Sequence, residues 1–422
     1  MQVTFIQPYY INIWESLGVA YIVAYCKKHY KGKISFNFFQ SNFDDDELVI
    51  EEAAKSDIVA FSCTSPTFAH GVRLAEAIKA KAPKDIRTVF GGWHVTSVGA
   101  IALQEDAVDQ IVMGEGELAF LEILNGKKDD IVFGKKLGWD ELEWPDREIV
   151  KNDRTLDLCA EMTGGLRIGS FQANRVCPFN CAFCAEKNMT GRFNNRTNPV
   201  RTRSVSDICD EIEKVTADYN LNFFKFVDAT FDTSAGFVIE FCKEKMKRPA
   251  IADIPWEMLC HASLTTEEMF KWLKKAECSQ VNIGVESGSK SILRDIGKGL
   301  SPKIIRRVFE WGKKHGVERR GFFILGMPNE TAEDHKITEE LIDEIQPDVV
   351  GFTILCPYPG SDFYDPIKHK YTDWAKTDEY SNDFWETDRF SNKELKEVQT
   401  YFSEKYKYLI AVRQHETDDA RE

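Results

Sequence analysis

Short apolar runs of strand length alternate with amphipathic helical segments along most of this chain, in two successive series. That alternation commits it to an α/β fold built on parallel sheets. In the first series Val3–Gln7, Ile34–Phe39, Ile58–Cys63, Thr88–Phe90 and Gln110–Met113 read as strands, with helices near Leu17–Lys28 and Gly71–Ala80. The pattern predicts a doubly wound, Rossmann-like sheet over residues 1–125, which binds ligands at the carboxyl ends of its strands. Turn residues gather there, in Gln7–Pro8, Ser62–Pro66, Gly91–Gly92 and Gly114–Glu117. Over 126–160 the pattern fades, and the runs Gly126–Asp130 and Trp139–Pro145 predict a linker.

The second series places strands at Ile168–Ala173, Phe223–Asp228, Trp256–His261, Val281–Glu286, Gly321–Leu325 and Val349–Leu355. These six strand–helix units predict a partial (β/α)6 barrel over 161–360, with its active site at the strand carboxyl ends. Helix starts are legible: a capping box from Thr265 to Glu268, and Ser301 ahead of Pro302. Ile208, Ile212, Val215 and Tyr219 share one helical face. The remainder, 361–422, is read as a small α-rich region. Its aromatics Phe363, Tyr364, Tyr371, Trp374, Tyr380, Phe384 and Trp385 predict a satellite core, with a closing lid as the alternative, and Ser391–Glu394 caps a last helix.

At 422 residues the chain has room for two or three domains, and its 43% hydrophobic and 29% charged residues are those of an ordinary globular protein. Apolar stretches such as Ile58–Phe61 and Phe322–Leu325 fall far short of the ~20 residues of a membrane span. Met1 leads straight into a strand with no basic segment, so no membrane partner and no signal peptide are expected, and the reading is cytoplasmic. A net charge of −14 offers no basic field to displace phosphate counterions, which argues against a nucleic-acid partner; its plainer meaning is solubility.

Eleven cysteines in such a chain suit metal ligation or burial better than a disulfide framework. Cys26, Cys63, Cys159, Cys209, Cys242, Cys260, Cys278 and Cys356 are scattered, whereas Cys177, Cys181 and Cys184 form a Cys-x3-Cys-x2-Cys run just after a predicted strand. Three soft thiolates on one short loop suit iron–sulfur or zinc. Structural zinc wants a fourth ligand, and no other Cys or His lies near in sequence. A four-iron cluster held by three cysteines instead keeps one iron open. Three unrelated buried cysteines are the bland alternative.

This spacing, with Phe183 before the last cysteine, resembles the radical S-adenosylmethionine (SAM) superfamily. The resemblance implies a [4Fe-4S] cluster whose open iron chelates the amino and carboxylate groups of SAM. It also implies an electron donor such as ferredoxin or flavodoxin, and reductive cleavage of SAM to a 5′-deoxyadenosyl radical, with the protein orienting the cofactors. The runs Val281–Gly288, with Lys298 beyond it, Phe322–Thr331 and Cys356–Gly360 match the same family. Strand period two puts Asn282, Gly284 and Glu286 on one face, so Glu286 is a candidate cofactor-binding residue, and the resemblance of the run after Phe322 implies the same for Gly326. Taken alone, Glu286 is an exposed strand-end carboxylate and Gly284 a point of close backbone approach. Asp228, His261 and Arg320 lie at or beside strand ends and are the candidate catalytic residues. Asp228 is expected to bind a polar group of the substrate, Arg320 to pair with a carboxylate in bidentate fashion, and His261 to transfer a proton. The blander readings are solvated ion pairs for the first two and a structural histidine for the third.

A sheet domain ahead of the barrel resembles the cobalamin-binding subclass of these enzymes, the class B radical SAM methyltransferases. The matched runs are Leu17–Tyr21, Ser62–Pro66, Gly91–His94, Gly114–Glu117 and, in the linker, Trp144–Asp146. The resemblance implies cobalamin, with its nucleotide tail in the sheet domain and its corrin face toward the barrel. Ser62, Thr64 and Ser65 offer hydroxyl and amide donors to the tail; Gly91 and Gly92 let a planar cofactor approach, and Gly114 belongs to the same turn set. An ordinary set of doubly wound turns is the alternative. No Asp-x-His-x-x-Gly run is present, so His94 is expected to pack or hydrogen-bond without ligating cobalt. The implied reaction is methyl transfer from methylcobalamin to an unactivated carbon of a peptide, protein or small-molecule acceptor. Size and organisation also resemble the methylases of methyl-coenzyme M reductase, which implies a glutamine α-carbon, with no single diagnostic residue. Oxidation or cyclisation without methylation, and a non-catalytic corrinoid or metal sensor, are the competing readings. Methylthiolation is disfavoured, because the first domain holds only Cys26 and Cys63.

Overall fold

A computed structural model describes residues 1–189, 200–369, 372–378 and 380–410. The chain divides into two compact units. The first comprises Met1–Gly165, Ala185–Arg201 and Tyr358–Asp378; the second comprises Leu166–Cys184, Thr202–Pro357 and Glu379–Glu422.

The first unit is a parallel sheet of β1 (Gln2–Gln7), β2 (Ser35–Gln40), β3 (Ile58–Ser62), β4 (Arg87–Gly91), β5 (Gln110–Met113) and β6 (Ile131–Phe133), in the order β2-β1-β3-β4-β5-β6. Its helices are α1 (Leu17–His29), α2 (Asp46–Ala53), α3 (Ser65–Lys81), α4 (Trp93–Val98), α5 (Gly116–Leu124) and α6 (Asn152–Thr163). Side chains alternate across the pleat, so Val3, Phe5, Ile58 and Ala60 enter one core while Ile6, Val59 and Phe61 enter another. Both faces are covered, as a doubly wound sheet requires. The chain leaves β1 toward β2 on one side and returns to β3 on the other, so the switch point lies between the ends of β1 and β3. The stretch expected to be linker supplies both β6 and α6. A three-residue edge strand among lysines and aspartates is too short to carry a legible period.

The second unit is also parallel: β7 (Ile168–Phe171), β8 (Phe223–Phe226), β9 (Trp256–Cys260), β10 (Cys278–Glu286), β11 (Glu318–Leu325) and β12 (Val349–Ile354), adjacent in sequence order. Between and after them run α7 (Val205–Tyr219), α8 (Ala235–Met246), α9 (Glu267–Lys275), α10 (Lys290–Asp295), α11 (Pro302–His315), α12 (Ala332–Ile345) and α13 (Asn392–Lys405). The outward face packs Phe224, Phe226, Phe231, Phe241 and Trp256 edge to face and stacked, all at most 2% exposed. Ser301 caps α11 ahead of Pro302, and Ser391 with Glu394 boxes the start of α13, as expected. The cap of α9 is Thr266, which accepts from Met269 N; Thr265 instead donates to the Ala262 carbonyl.

The aromatics beyond 361 do not form one core. Tyr364 and Trp374 meet Tyr358 and His369 within the first unit, whereas Trp385 is buried in the second. Tyr371 lies outside the described residues. Among the described residues no helix is long and apolar enough to cross a membrane.

Candidate active site

The cysteine loop follows β7. Its lead-in backbone is held by two buried charged side chains. Asp228 accepts from the amides of Ala173 (3.0 Å) and Asn174, and Arg203 donates to the Gln172 carbonyl (3.0 Å) while pairing with Glu211. Farther along, the Ala182 amide donates to the Ile296 carbonyl (2.9 Å) and the Cys184 amide to the Cys181 carbonyl (3.1 Å). Phe179, between the first two cysteines, stacks on the His261 ring at 3.5 Å and 16°. Burial pushes the Cys181 thiol up to about 11, against the pull of the Lys298 ammonium.

Lys298 joins the loop to the end of β10. Its Nζ donates to Glu286 Oε1 at 2.6 Å in a pair almost wholly withdrawn from solvent, and sits 5.7 Å from the Phe183 ring centroid. Burial opposes its charge, yet Glu286, Cys181 and Cys184 hold its pKa above the ordinary value. Glu286 reaches this position because β10 shifts register after Gly284 and Glu286 takes a left-handed φ of 66°. A Cβ on Gly284 would stand 2.5 Å from the Glu286 carboxylate and 2.7 Å from Lys298 Nζ, so only glycine leaves room for the pair.

The three expected catalytic residues part company. Asp228 is buried against backbone amides, so it positions the loop and is not aimed at a substrate; burial lifts its carboxyl to about 7, opposed by the bonds from Ala173 and Asn174. His261 Nε2 donates to the Lys298 carbonyl (3.0 Å), which leaves Nδ1 to accept from the Ser263 hydroxyl (2.7 Å). Burial, then Lys298, holds the ring's pKa down to about 3, so it is a neutral platform under Phe179. Arg320 alone lies free on the inner face, described below. Gly326, expected at a cofactor, has a left-handed φ of 85°, and a Cβ there would meet Leu395 at 2.9 Å; its carbonyl accepts from Trp385 Nε1. These contacts tie it to the packing of α13.

In the first unit the expected tail-binding turns are partly engaged by their own fold. Thr64 caps α3, its amide donating to Thr67 Oγ1 (3.0 Å), and the Ser65 hydroxyl meets His94 Nδ1 (3.0 Å). Gly92, with φ 96°, is glycine because a Cβ would lie 2.6 Å from the Cys63 carbonyl oxygen. A Cβ on Gly91 would make only ordinary contact, 3.7 Å from Val112, and the Gly114 amide donates to Thr96. Large apolar side chains stand exposed beyond β1 and β4: Tyr9, Ile11 and Trp14 on the loop after β1, Trp93 at the start of α4 and Ile101 just past its end. That edge suits a broad, flat ligand.

Two family descriptions match these two regions: the Radical SAM superfamily over residues 172–342 and the B12 binding domain over residues 10–124. An uncharacterized methyltransferase of Pyrococcus horikoshii is 27% identical over 368 residues, covering 83% of this chain and 77% of that protein. The anaerobic magnesium-protoporphyrin IX monomethyl ester cyclase of Rubrivivax gelatinosus is 25% identical, covering 88% and 70%. Among solved structures, the radical SAM methyltransferase TsrM of Kitasatospora setae, with cobalamin and a [4Fe-4S] cluster bound, superposes with a TM-score of 0.68 at 14% identity, covering 86% of this chain and 73% of that one. The chain carries the radical SAM and B12-binding domains of a cobalamin-dependent radical SAM methyltransferase. Those two domains imply a [4Fe-4S] cluster, SAM and cobalamin as cofactors.

The residues of this radical SAM protein fit those groups. Three thiols share one loop pinned at both ends, and a coordinating metal displaces the proton that burial keeps on Cys181. Among the described residues no three Cys, His, Asp or Glu side chains converge as for a single ion; the sulfurs are gathered on one loop, not onto one point. Sequence reasoning missed Phe179, Arg203 and Asp232, and noted Lys298 without a role. Asp232, fully buried, accepts from the His261 amide (2.9 Å) and thereby supports the platform.

His94 is buried, its ring tilted against Phe68 at 4.5 Å and its Nδ1 on the Ser65 hydroxyl. Burial lowers its pKa from 6.5 to about 4. A depressed imidazole pKa contributes stability that is complete above pH 6.5 and lost as pH falls toward 4. Melting curves across that window should lose up to about 3 kcal/mol, and His94→Gln should remove part of that slope.

Proposed function

We propose that this protein transfers a methyl group to an unactivated carbon of its acceptor, with an amino-acid residue of a peptide or protein placed first. The glutamine α-carbon of methyl-coenzyme M reductase is the example the sequence resemblance supplies. The observation that carries the reading is the buried Glu286–Lys298 pair, set beside the pinned cysteine loop in a chain that also holds a B12-binding sheet. When bound, the cluster supplies the electron that cleaves SAM, and the corrinoid carries the methyl group. Cys177, Cys181 and Cys184 hold the cluster. Glu286 and Lys298 offer opposite charges to the ammonium and carboxylate of SAM in a site largely closed to water, where such contacts gain strength. His261 and Asp228 keep the loop in place; neither moves a proton. The exposed aromatics at the edge of the first sheet, with Ser62 and Gly91, receive the corrinoid. A ferredoxin or flavodoxin supplies electrons.

The cyclase relative favours a second reading, oxidation or cyclisation without methylation. One experiment separates them. The full chain, reconstituted with iron, sulfide and hydroxocobalamin, should keep a corrinoid spectrum after desalting and form 5′-deoxyadenosine from SAM under reduction. The acceptor should gain one methylene by mass. A product with any other mass change overturns methylation, and absence of 5′-deoxyadenosine overturns the enzyme reading itself.

A further inference from the structure

The six strands of the second unit have two unlike faces. Outward residues are sealed: Phe224, Trp256, Met258, Val281, Ile283 and Phe323 are all 0% exposed. On the inner face solvent reaches in, with Val227 at 42% and Leu259 at 38%, both at strand carboxyl ends. Deeper on that face the register sets Lys225 beside Glu257, Glu257 beside Gln280, and Asn282 beside Arg320. Most of this belt is self-satisfied. Gln280 Nε2 donates to Glu257 (3.2 Å) and to Asn282 Oδ1 (2.9 Å).

Arg320 is the exception. Its neighbour Arg319, on the outward face, is fully engaged, with Nε on Asp348 at 2.7 Å and Nη1 on the Phe309 carbonyl at 3.1 Å. Arg320 makes no hydrogen bond and no ion pair among the described residues, and its Nε is buried without a partner. Its guanidinium lies over the Phe322 ring at 4.8 Å, and opposite Phe322 the next strand carries Gly351, which leaves the space open. A partly buried guanidinium without a partner carries a desolvation cost that a bound anion would offset. Stacking on Phe322 orients the guanidinium plane, leaving its edge for a planar two-oxygen acceptor.

We propose that Arg320 binds a carboxylate of the methyl acceptor, which makes the acceptor a free acid or a peptide with an acidic side chain. A neutral amide side chain alone would leave Arg320 unpaired. A dianionic phosphate fits less well, because Arg320 is the one cation of the belt without a carboxylate beside it in register. The inference rests on the methyl-transfer reading for its meaning, but its test does not depend on turnover.

Saturation-transfer NMR on the full chain with its cluster reconstituted, using propionate and propionamide as probes and inorganic phosphate as a competitor read by its displacement of propionate, reads the site directly. Propionate should bind the wild type in preference to propionamide and to phosphate. It should bind roughly tenfold or more weakly to Arg320→Gln, with part of the affinity kept by Arg320→Lys and all of it by the surface control Arg294→Gln. Equal propionate binding by Arg320→Gln overturns the assignment, as does a wild type that prefers propionamide or phosphate or binds no propionate. Failure to form 5′-deoxyadenosine in the wild type would strike the methyl-transfer reading and leave the carboxylate site standing.

Discussion

Cys181→Ala should bring iron binding and 5′-deoxyadenosine formation down to the level measured without protein. Cys181 is the central and most buried of the three loop sulfurs, and its carbonyl carries the turn to Cys184. Three thiolates are the minimum that leaves one iron of a four-iron cluster open, so losing one removes the cluster and not merely a contact. Alanine keeps the backbone geometry, and the pins at Asp228, Ile296 and His261 touch other atoms of the loop, so the fold should survive. The informative control is Cys242→Ala. That thiol is fully buried in α8, far in sequence from the loop, and burial pushes it up to about 12. Its removal should cost about 1 kcal/mol of stability through lost packing while leaving iron content unchanged. Visible and electron paramagnetic resonance spectra check both. If Cys181→Ala retains a reducible cluster, the ligand assignment is wrong.

The sequence made the two parallel sheets and the cysteine loop legible because both signals are local. Strand length, helical period and Cys-x3-Cys-x2-Cys spacing are read over a few residues. What it left open is what depends on distant residues meeting. Lys298 sits between two glycines with nothing to mark it, yet it faces Cys181, Cys184 and Glu286 together. Asp228 and His261 looked like chemistry because polar residues at strand ends usually are; in the fold both turn to backbone and to the loop. Gly92 and Gly326 show a related limit. A glycine signals close approach without saying of what, and here the visitors are Cys63 and Leu395. Arg319 and Arg320 are alike in type, and strand period sends one to structure and the other to the inner face.

Lys298→Met should be the more damaging single change to the second unit outside the cysteines, and Glu286→Gln the milder. Removing the ammonium strands a carboxylate that is 5% exposed, with its pairing oxygen 2.6 Å from where the charge had been. Breaking a buried pair on one side costs about 3–5 kcal/mol, because the partner keeps its desolvation penalty and loses its compensation. Glu286→Gln leaves a neutral acceptor for Lys298, whose ammonium still faces the cysteine sulfurs. The double variant discriminates between roles. If the pair acts only as a structural prop, Glu286→Gln with Lys298→Met should recover most of the stability lost in Lys298→Met, since a neutral pair can pack without uncompensated charge. Recovery of the melting temperature with no recovery of SAM binding, read as KM in the cleavage assay and as the SAM-induced change in the cluster's resonance spectrum, would place both side chains on the cofactor. Full recovery of both readings would reduce the pair to scaffolding and move the charge that holds SAM elsewhere in the site.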